Sequence, residues 1–211
     1  MKQRTFVQVV AAVVVAVFAV GIWSSGGKVD LGWLRFFSAA VFVATALLLL
    51  WDRVFWKLSL VQRTRGAPRD LSGTWKCTLT SFWEDTSVGK PPAPKPAYLV
   101  VRQTASTVSV ILLTDESRSV SSLGTVSGGD GLASLDYIYL NRPDSKVEHR
   151  SRMHHGSTSL DITGVPVTRL KGRYWTDRDS RGELEFVERS NHTVEDYDEA
   201  TRLFGGEREA A

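Results

Sequence analysis

The chain has 211 residues, 26 Lys and Arg against 23 Asp and Glu, and a formal charge of +3. That near balance excludes a polycationic nucleic-acid surface, so neither DNA nor RNA is an expected partner. The single cysteine, Cys77, excludes an internal disulfide and a cysteine metal cluster.

The averages conceal two unlike halves. Up to Trp51 the chain is almost entirely apolar, and from Leu71 onward it is an ordinary polar–apolar mixture. Twenty-three uncharged residues separate Arg4 from Lys28, and Phe6 to Trp23 is apolar apart from Gln8. Eighteen helical residues span roughly 27 Å, close to the hydrocarbon thickness of a bilayer. A second segment, Leu31 to Trp51, ends in four leucines, and Arg35 one turn inside it can snorkel to the interface. Trp23 and Trp33 mark one boundary and Trp51 and Trp56 the other. A cleaved signal peptide fits poorly, because the apolar run is too long and a second one follows at once.

The flanks predict orientation. Lys2 and Arg4 precede the first segment, and Arg53, Lys57, Arg63, Arg65 and Arg69 follow the second. Positive-inside logic then gives a two-pass bacterial inner-membrane protein with both termini cytoplasmic. Residues 1–56 read as a transmembrane hairpin and 57–70 as a basic juxtamembrane linker suited to anionic lipid headgroups. The lack of disulfides is compatible with a reducing compartment.

From Leu71 the period changes to two. Thr74 to Phe82 places Trp75, Cys77 and Leu79 on one face. Further strand-like runs are Ala97–Thr104, Thr107–Thr114, Arg118–Ser127, Leu132–Leu140, Val147–His155, Ser157–Thr163, Leu170–Thr176 and Glu183–Glu188. Turn signals such as Asn141-Arg142-Pro143-Asp144 and Asp179-Ser180-Arg181-Gly182 separate them. Eight or nine short strands without a convincing helix predict an antiparallel sandwich or small barrel over residues 71–190. Gly73 two residues before Trp75 is how lipocalin-like barrels plug a closed end, which favours an eight-stranded lipocalin-like barrel. Residues 191–211 are acidic, and Val194 to Phe204 reads as a short amphipathic helix or a frayed tail.

These parts, in this order, resemble a known family. Two apolar segments precede Leu71-Ser72-Gly73-Thr74-Trp75. Gly172-Arg173-Tyr174-Trp175-Thr176-Asp177-Arg178 and Gly182-Glu183-Leu184-Glu185-Phe186 follow. The chain resembles the SMODS-associating, two-transmembrane, β-strand-rich effectors of bacterial cyclic-oligonucleotide antiphage signalling (CBASS). The resemblance implies a cytoplasmic barrel that binds a cyclic dinucleotide made by a partner CD-NTase-type nucleotidyltransferase. It further implies homo-oligomerisation on binding, disruption of the inner membrane and abortive infection.

A cyclic dinucleotide offers two phosphates to cationic or hydroxyl donors and two bases to aromatic faces. Residues of one parity share a strand face, which groups Tyr174, Thr176 and Arg178. It also groups Tyr98 with Arg102, Tyr137 with Tyr139, and Arg150 with Arg152. The candidate ligand-binding set is therefore Tyr98, Arg102, Tyr139, Arg152, Tyr174, Thr176 and Arg178, on the expectation that these sets meet inside a barrel. The same residues also suit half-buried strand tyrosines and water-facing arginines.

Other signals carry less. His154 and His155 are adjacent and would point to opposite faces, and Gly128-Gly129-Asp130-Gly131 lacks the lysine of a phosphate loop. No catalytic constellation, metal set or cofactor motif is found, so a non-enzymatic receptor is expected. The alternative is a membrane-tethered lipocalin-like carrier of a lipid or other apolar ligand, which would need a mostly apolar cavity where a dinucleotide receptor needs cationic and hydroxyl groups facing inward.

Overall fold

The computed structural model describes residues 3–24, 26, 33–64, 67–83, 91–128, 133–149 and 151–205, with only the backbone for residues 3–7, 9 and 33–37. Lys2, Lys28, Asp30, Arg65 and Arg150 therefore lie outside the described residues, as do the side chains of Arg4, Trp33 and Arg35. The chain divides into two compact units, Met1–Val61 and Gln62–Ala211.

The first unit holds helices α1 (Gln3–Ser24) and α2 (Trp33–Arg53), a 3₁₀ turn (Phe55–Lys57) and the start of α3 (Ser59–Gln62). Small side chains set the contact between α1 and α2. Gly21, Ala40 and Ala44 are buried, while Val15, Val20 and Phe42 remain exposed. The described side chains run from 10 to 24 in α1 and from 38 to 53 in α2. Among the described residues no helix is long and apolar enough to cross a membrane. The membrane-spanning reading of the two segments thus gains no support from the structure.

The second unit is a closed, eight-stranded antiparallel barrel in which each strand pairs with its neighbour in sequence and β8 closes on β1. The strands are β1 (Gly73–Ser81), β2 (Lys95–Gln103), β3 (Val108–Leu113), β4 (Ser117–Ser127), β5 (Ser134–Pro143), β6 (His154–Thr163), β7 (Arg169–Thr176) and β8 (Arg181–Ser190). Closure gives every strand two neighbours, although β3 and β4 pair only over Ile111–Leu113 and Arg118–Val120. Bulges at Val187 of β8, opposite Lys76 and Cys77, and at Ser122 of β4 supply local bends.

Strand alternation decides what lies inside. Trp75, Cys77, Leu99, Val101, Val110, Leu135, Tyr137, Leu160, Leu170, Leu184 and Phe186 form one inward cluster. Arg169, Lys171 and Glu185 point outward and form ion pairs across β7 and β8. The sixth run read from the sequence, Val147–His155, is not a strand over most of its length. Val147 N donates to the Asp144 carbonyl and Ser151 N to the Val147 carbonyl, so the segment folds as turns and β6 begins at His154.

The C-terminal stretch is a helix, α4 (Tyr197–Gly205). Glu199 N donates to Asp196 Oδ1, and Glu195 N donates to Glu199 Oε2, each over 2.7 Å. Asp196 thus caps the first turn, and the Glu199 side chain reaches back to the residue before the cap. Ala200 and Phe204 are buried against Tyr98, Val100 and Leu113 on the outside of β2 and β3.

Candidate functional site

The two ends of the barrel differ. At one end the chain before β1 folds across the opening. Trp75 Nε1 donates to the Leu71 carbonyl over 2.9 Å, and Leu71 N donates to Gln103 Oε1 over 2.9 Å. The Arg189 guanidinium sits 5.2 Å from the centre of the Trp75 ring and donates to the Ser72 and Asp70 carbonyls. It also pairs with Asp70 Oδ2 at 3.0 Å. Burial would raise the Asp70 carboxyl, but hydrogen bonds from Ser72 and the Arg189 charge outweigh it and hold the group below its ordinary value. Gly73 has φ of +116°, and a Cβ there would overlap the Ser190 carbonyl, so glycine is required at this entry.

The other end opens into a cavity of about 440 Å³, within the roughly 300–1,000 Å³ range of small-molecule sites. Its deeper wall includes Leu79, Leu112, Leu184, Tyr139 and Thr158, and its mouth includes Lys95, Glu116, Ser117, His154, Thr176 and Ser180. Ten of the twenty-one lining residues bear a hydroxyl. The lining therefore mixes hydroxyl-bearing side chains with apolar ones such as Leu79, Leu112 and Leu184.

Strand register explains the composition. β4 turns Ser117, Ser119 and Ser121 toward Pro143, Asn141 and Tyr139 of β5. Ser119 Oγ and Asn141 Oδ1 are hydrogen-bonded at 2.8 Å, and both residues are buried. In the same way β6 turns His154, Gly156 and Thr158 toward Asn141, Tyr139 and Tyr137.

Two glycines make room for aromatic side chains. A Cβ at Gly156 would overlap Cζ and Oη of Tyr139, and one at Gly182 would lie 2.5 Å from Cε1 of Tyr174. The phenol end of each ring thus occupies the space beside a glycine of the adjacent strand. Burial pushes both phenols above their ordinary value, so at neutral pH they remain neutral donors.

The rim carries cations. Arg178 lies past the end of β7, and its Nη1 donates to Ser151 Oγ over 3.3 Å and to the Arg152 carbonyl over 3.2 Å. Arg152, Arg178, His149 and His154 line a shallower cleft of about 430 Å³ beside the mouth. Lys95 at the mouth is held by Asp115 at 3.3 Å and Glu116 at 3.5 Å.

Of the seven candidate residues, the structure brings Tyr139, Tyr174 and Thr176 together in the cavity and places Arg152 and Arg178 at its rim. Tyr98 and Arg102 do share a face, but it is the outer one. Tyr98 stacks on Phe204 with centroids 5.6 Å apart under α4, and Arg102 is exposed. The expectation that these two face the interior is corrected, because Leu99 and Val101 occupy the inward positions of β2. Arg152 lies in the segment before β6 and not on a strand face. Sequence reasoning missed Lys95, Ser117, Ser119, Asn141, His154, Thr158 and Ser180. The alternation Ser117-x-Ser119-x-Ser121 was a usable signal for a polar wall.

A closed antiparallel barrel with one plugged end and one open cavity is an architecture able to hold one small ligand. Residues 67–188 match the family described as Cap15, cyclic dinucleotide receptor domain. The match covers more than half of the chain, and the chain belongs to that family. It is also 28% identical over 155 residues to CD-NTase-associated protein 15 of Staphylococcus schleiferi, covering 74% of this chain and 80% of that protein. The resemblance read from the sequence holds at the level of a cyclic dinucleotide receptor domain.

Proposed function

We propose that this chain is a CBASS effector whose barrel receives a cyclic dinucleotide from a CD-NTase-type enzyme and relays binding to the inner membrane through α1 and α2. The observation that carries the reading is the hydroxyl-lined cavity at the open end of the family-matched barrel. Tyrosine faces offer stacking surfaces, hydroxyls offer neutral donors and acceptors, and the rim arginines suit phosphate. A lipid carrier would need neither the lining hydroxyls nor the rim arginines, and these favour the receptor.

In this reading the hairpin crosses the inner membrane twice, with both termini cytoplasmic. Ligand-bound copies associate, and their clustered helices breach the bilayer. The small residues Gly21, Ala40 and Ala44 support close helix approach in lipid. Membrane confinement keeps local concentration high, so a coupling of about 1–3 kcal/mol between binding and association suffices. Protease applied outside spheroplasts should leave the barrel intact; its digestion alongside protected cytoplasmic controls would reverse the orientation. Replacing the hairpin by one inert helix should preserve binding and abolish toxicity.

The test of the receptor itself is calorimetric titration of the full chain in detergent with a panel of cyclic dinucleotides. Tyr174→Ala or Arg178→Ala should weaken binding by about five- to a hundredfold, the worth of one stacked base or one charged hydrogen bond. Folded variants that bind like the parent would remove these residues from the site. Absence of binding to every cyclic dinucleotide would remove the receptor reading.

A further inference from the structure

The mouth of the cavity has two unlike sides. At the end of β1 and the start of β2 its lining is Trp83, Pro92 and Ala93, and Lys95 on that side is already paired with Asp115 and Glu116. Around the start of β6 and the end of β7, the adjoining cleft carries Arg152, His154 and Arg178. Asp177, a carboxylate in that cleft, accepts from the His155 N–H over 3.1 Å. In the closed ring β8 separates the two sides in one direction, and β3, β4 and β5 separate them in the other. An apolar, aromatic arc thus lies across the opening from a cationic one.

Trp83 is anchored by its backbone while its ring stays open to solvent. Phe82 N donates to the Arg181 carbonyl over 2.8 Å, and Trp83 N donates to Ser81 Oγ over 3.3 Å. Ser81 is also the side chain that the Tyr174 phenol reaches, so Trp83 borders the wall on which Tyr174 lies. The Trp83 indole lines the cavity and is 46% exposed, whereas the Trp75 indole at the plug is fully buried. Apolar area left in water adds nothing to folding, but an open aromatic face is what a base stacks on.

A cyclic dinucleotide has the polarity to match. Its two bases project from a ring closed by two phosphates, so one molecule carries two flat faces and an anionic core. Tyr139 and Tyr174 inside the cavity serve one base. With the phosphates drawn to Arg152 and Arg178, the other base remains at the opening. Resting on the receptor reading above, we infer that Trp83 is the stacking platform for this second base, across the mouth from the arginines that hold the phosphates. Every base has a π face, so Trp83 adds affinity without choosing among bases. Selection is left to the hydroxyl-bearing lining of the cavity, which meets the first base alone.

The test uses the full chain in detergent, as the parent and as Trp83→Ala and Trp83→Phe. Each is titrated with cyclic di-GMP, cyclic di-AMP, cyclic di-UMP and the three mixed ligands that combine these bases. Thermal unfolding without ligand should be the same in all three proteins. Trp83→Ala should weaken every bound ligand by a similar factor, about five- to a hundredfold, and leave their ranking intact. Trp83→Phe keeps a ring and should retain most of the affinity. Ligand should quench tryptophan emission in the parent, and that change should be lost in Trp83→Phe. Equal affinity in a folded Trp83→Ala, or an altered ranking of the ligands, overturns the inference and leaves the receptor reading standing. Quenching that persists in full in Trp83→Phe overturns it as well. A parent chain that binds none of the six overturns the receptor reading and the stacking platform together.

Discussion

The same eight strands build two unlike ends. At the closed end, large apolar side chains fill the interior and their polar atoms are all used: the Trp75 indole N–H, the Arg189 guanidinium and the Asp70 carboxylate bond to one another's surroundings. At the open end serine, threonine, asparagine and tyrosine join Leu79, Leu112 and Leu184 at the inward positions, and space remains. A barrel of eight strands is just wide enough either to be filled by its own side chains or to hold one small ligand. Here each outcome occupies one half of the barrel, and side-chain size and polarity along the inward rows make the choice. Stability resides at the plug and recognition at the mouth.

Changes at the plug should therefore cost folding, and changes at the mouth should cost binding. The largest effect expected is Trp75→Ala, which empties a fully buried site and should destabilise the barrel by about 3–5 kcal/mol, measured by denaturant unfolding. Arg189→Ala removes the strap across the plug and should cost about 2 kcal/mol with little direct effect on ligand affinity.

Asp70 adds a pH dependence. Its carboxyl is held low in the fold, so its contribution is complete above the ordinary carboxylate value of about 3.9 and is lost as pH falls through the depressed folded value. Asp70→Asn should flatten the acid side of the stability curve below about pH 4 and leave it unchanged near neutrality, apart from a uniform offset. The smallest effect is expected for Lys95→Met. Its exposed ion pairs with Asp115 and Glu116 should contribute less than about 1 kcal/mol to unfolding. A large stability loss there would erase the division between the two ends.

The plug was the most legible part of the sequence. Leu71-Ser72-Gly73-Thr74-Trp75 announces a closed barrel end because a positive-φ glycine and a buried indole meet only a few structural needs. Seven of the nine predicted runs match strands closely in position, because alternation survives wherever one face is buried. Ser157–Thr163 also matches, but β6 extends back to His154. Val147–His155 misled because its residues mix polarity like a strand, while local backbone bonds from Asp144 onward fold it into turns.

Half of the site was legible for a related reason. Parity correctly grouped Tyr174 with Thr176 and Tyr98 with Arg102, but parity alone does not say which face is inward. On β2 the alternation offered Tyr98 and Val100 against Leu99 and Val101, two apolar faces, and α4 covers the outer one. That cover comes from residues nearly a hundred positions away. Arg178 sits beyond the last strand position, so its place at the rim is set by the turn and by its bonds to Ser151 and Arg152.

The central claim, that the ligand occupies the open end, is tested most directly by hydrogen–deuterium exchange of the full chain with and without saturating cyclic dinucleotide. The prediction is slowed exchange in segments 114–117, 144–149 and 177–180 around the mouth and at the inward ends of β6 and β7, with segment 69–75 and α4 unchanged. Protection confined to the plug or to α4, with the mouth unaffected, would contradict the account.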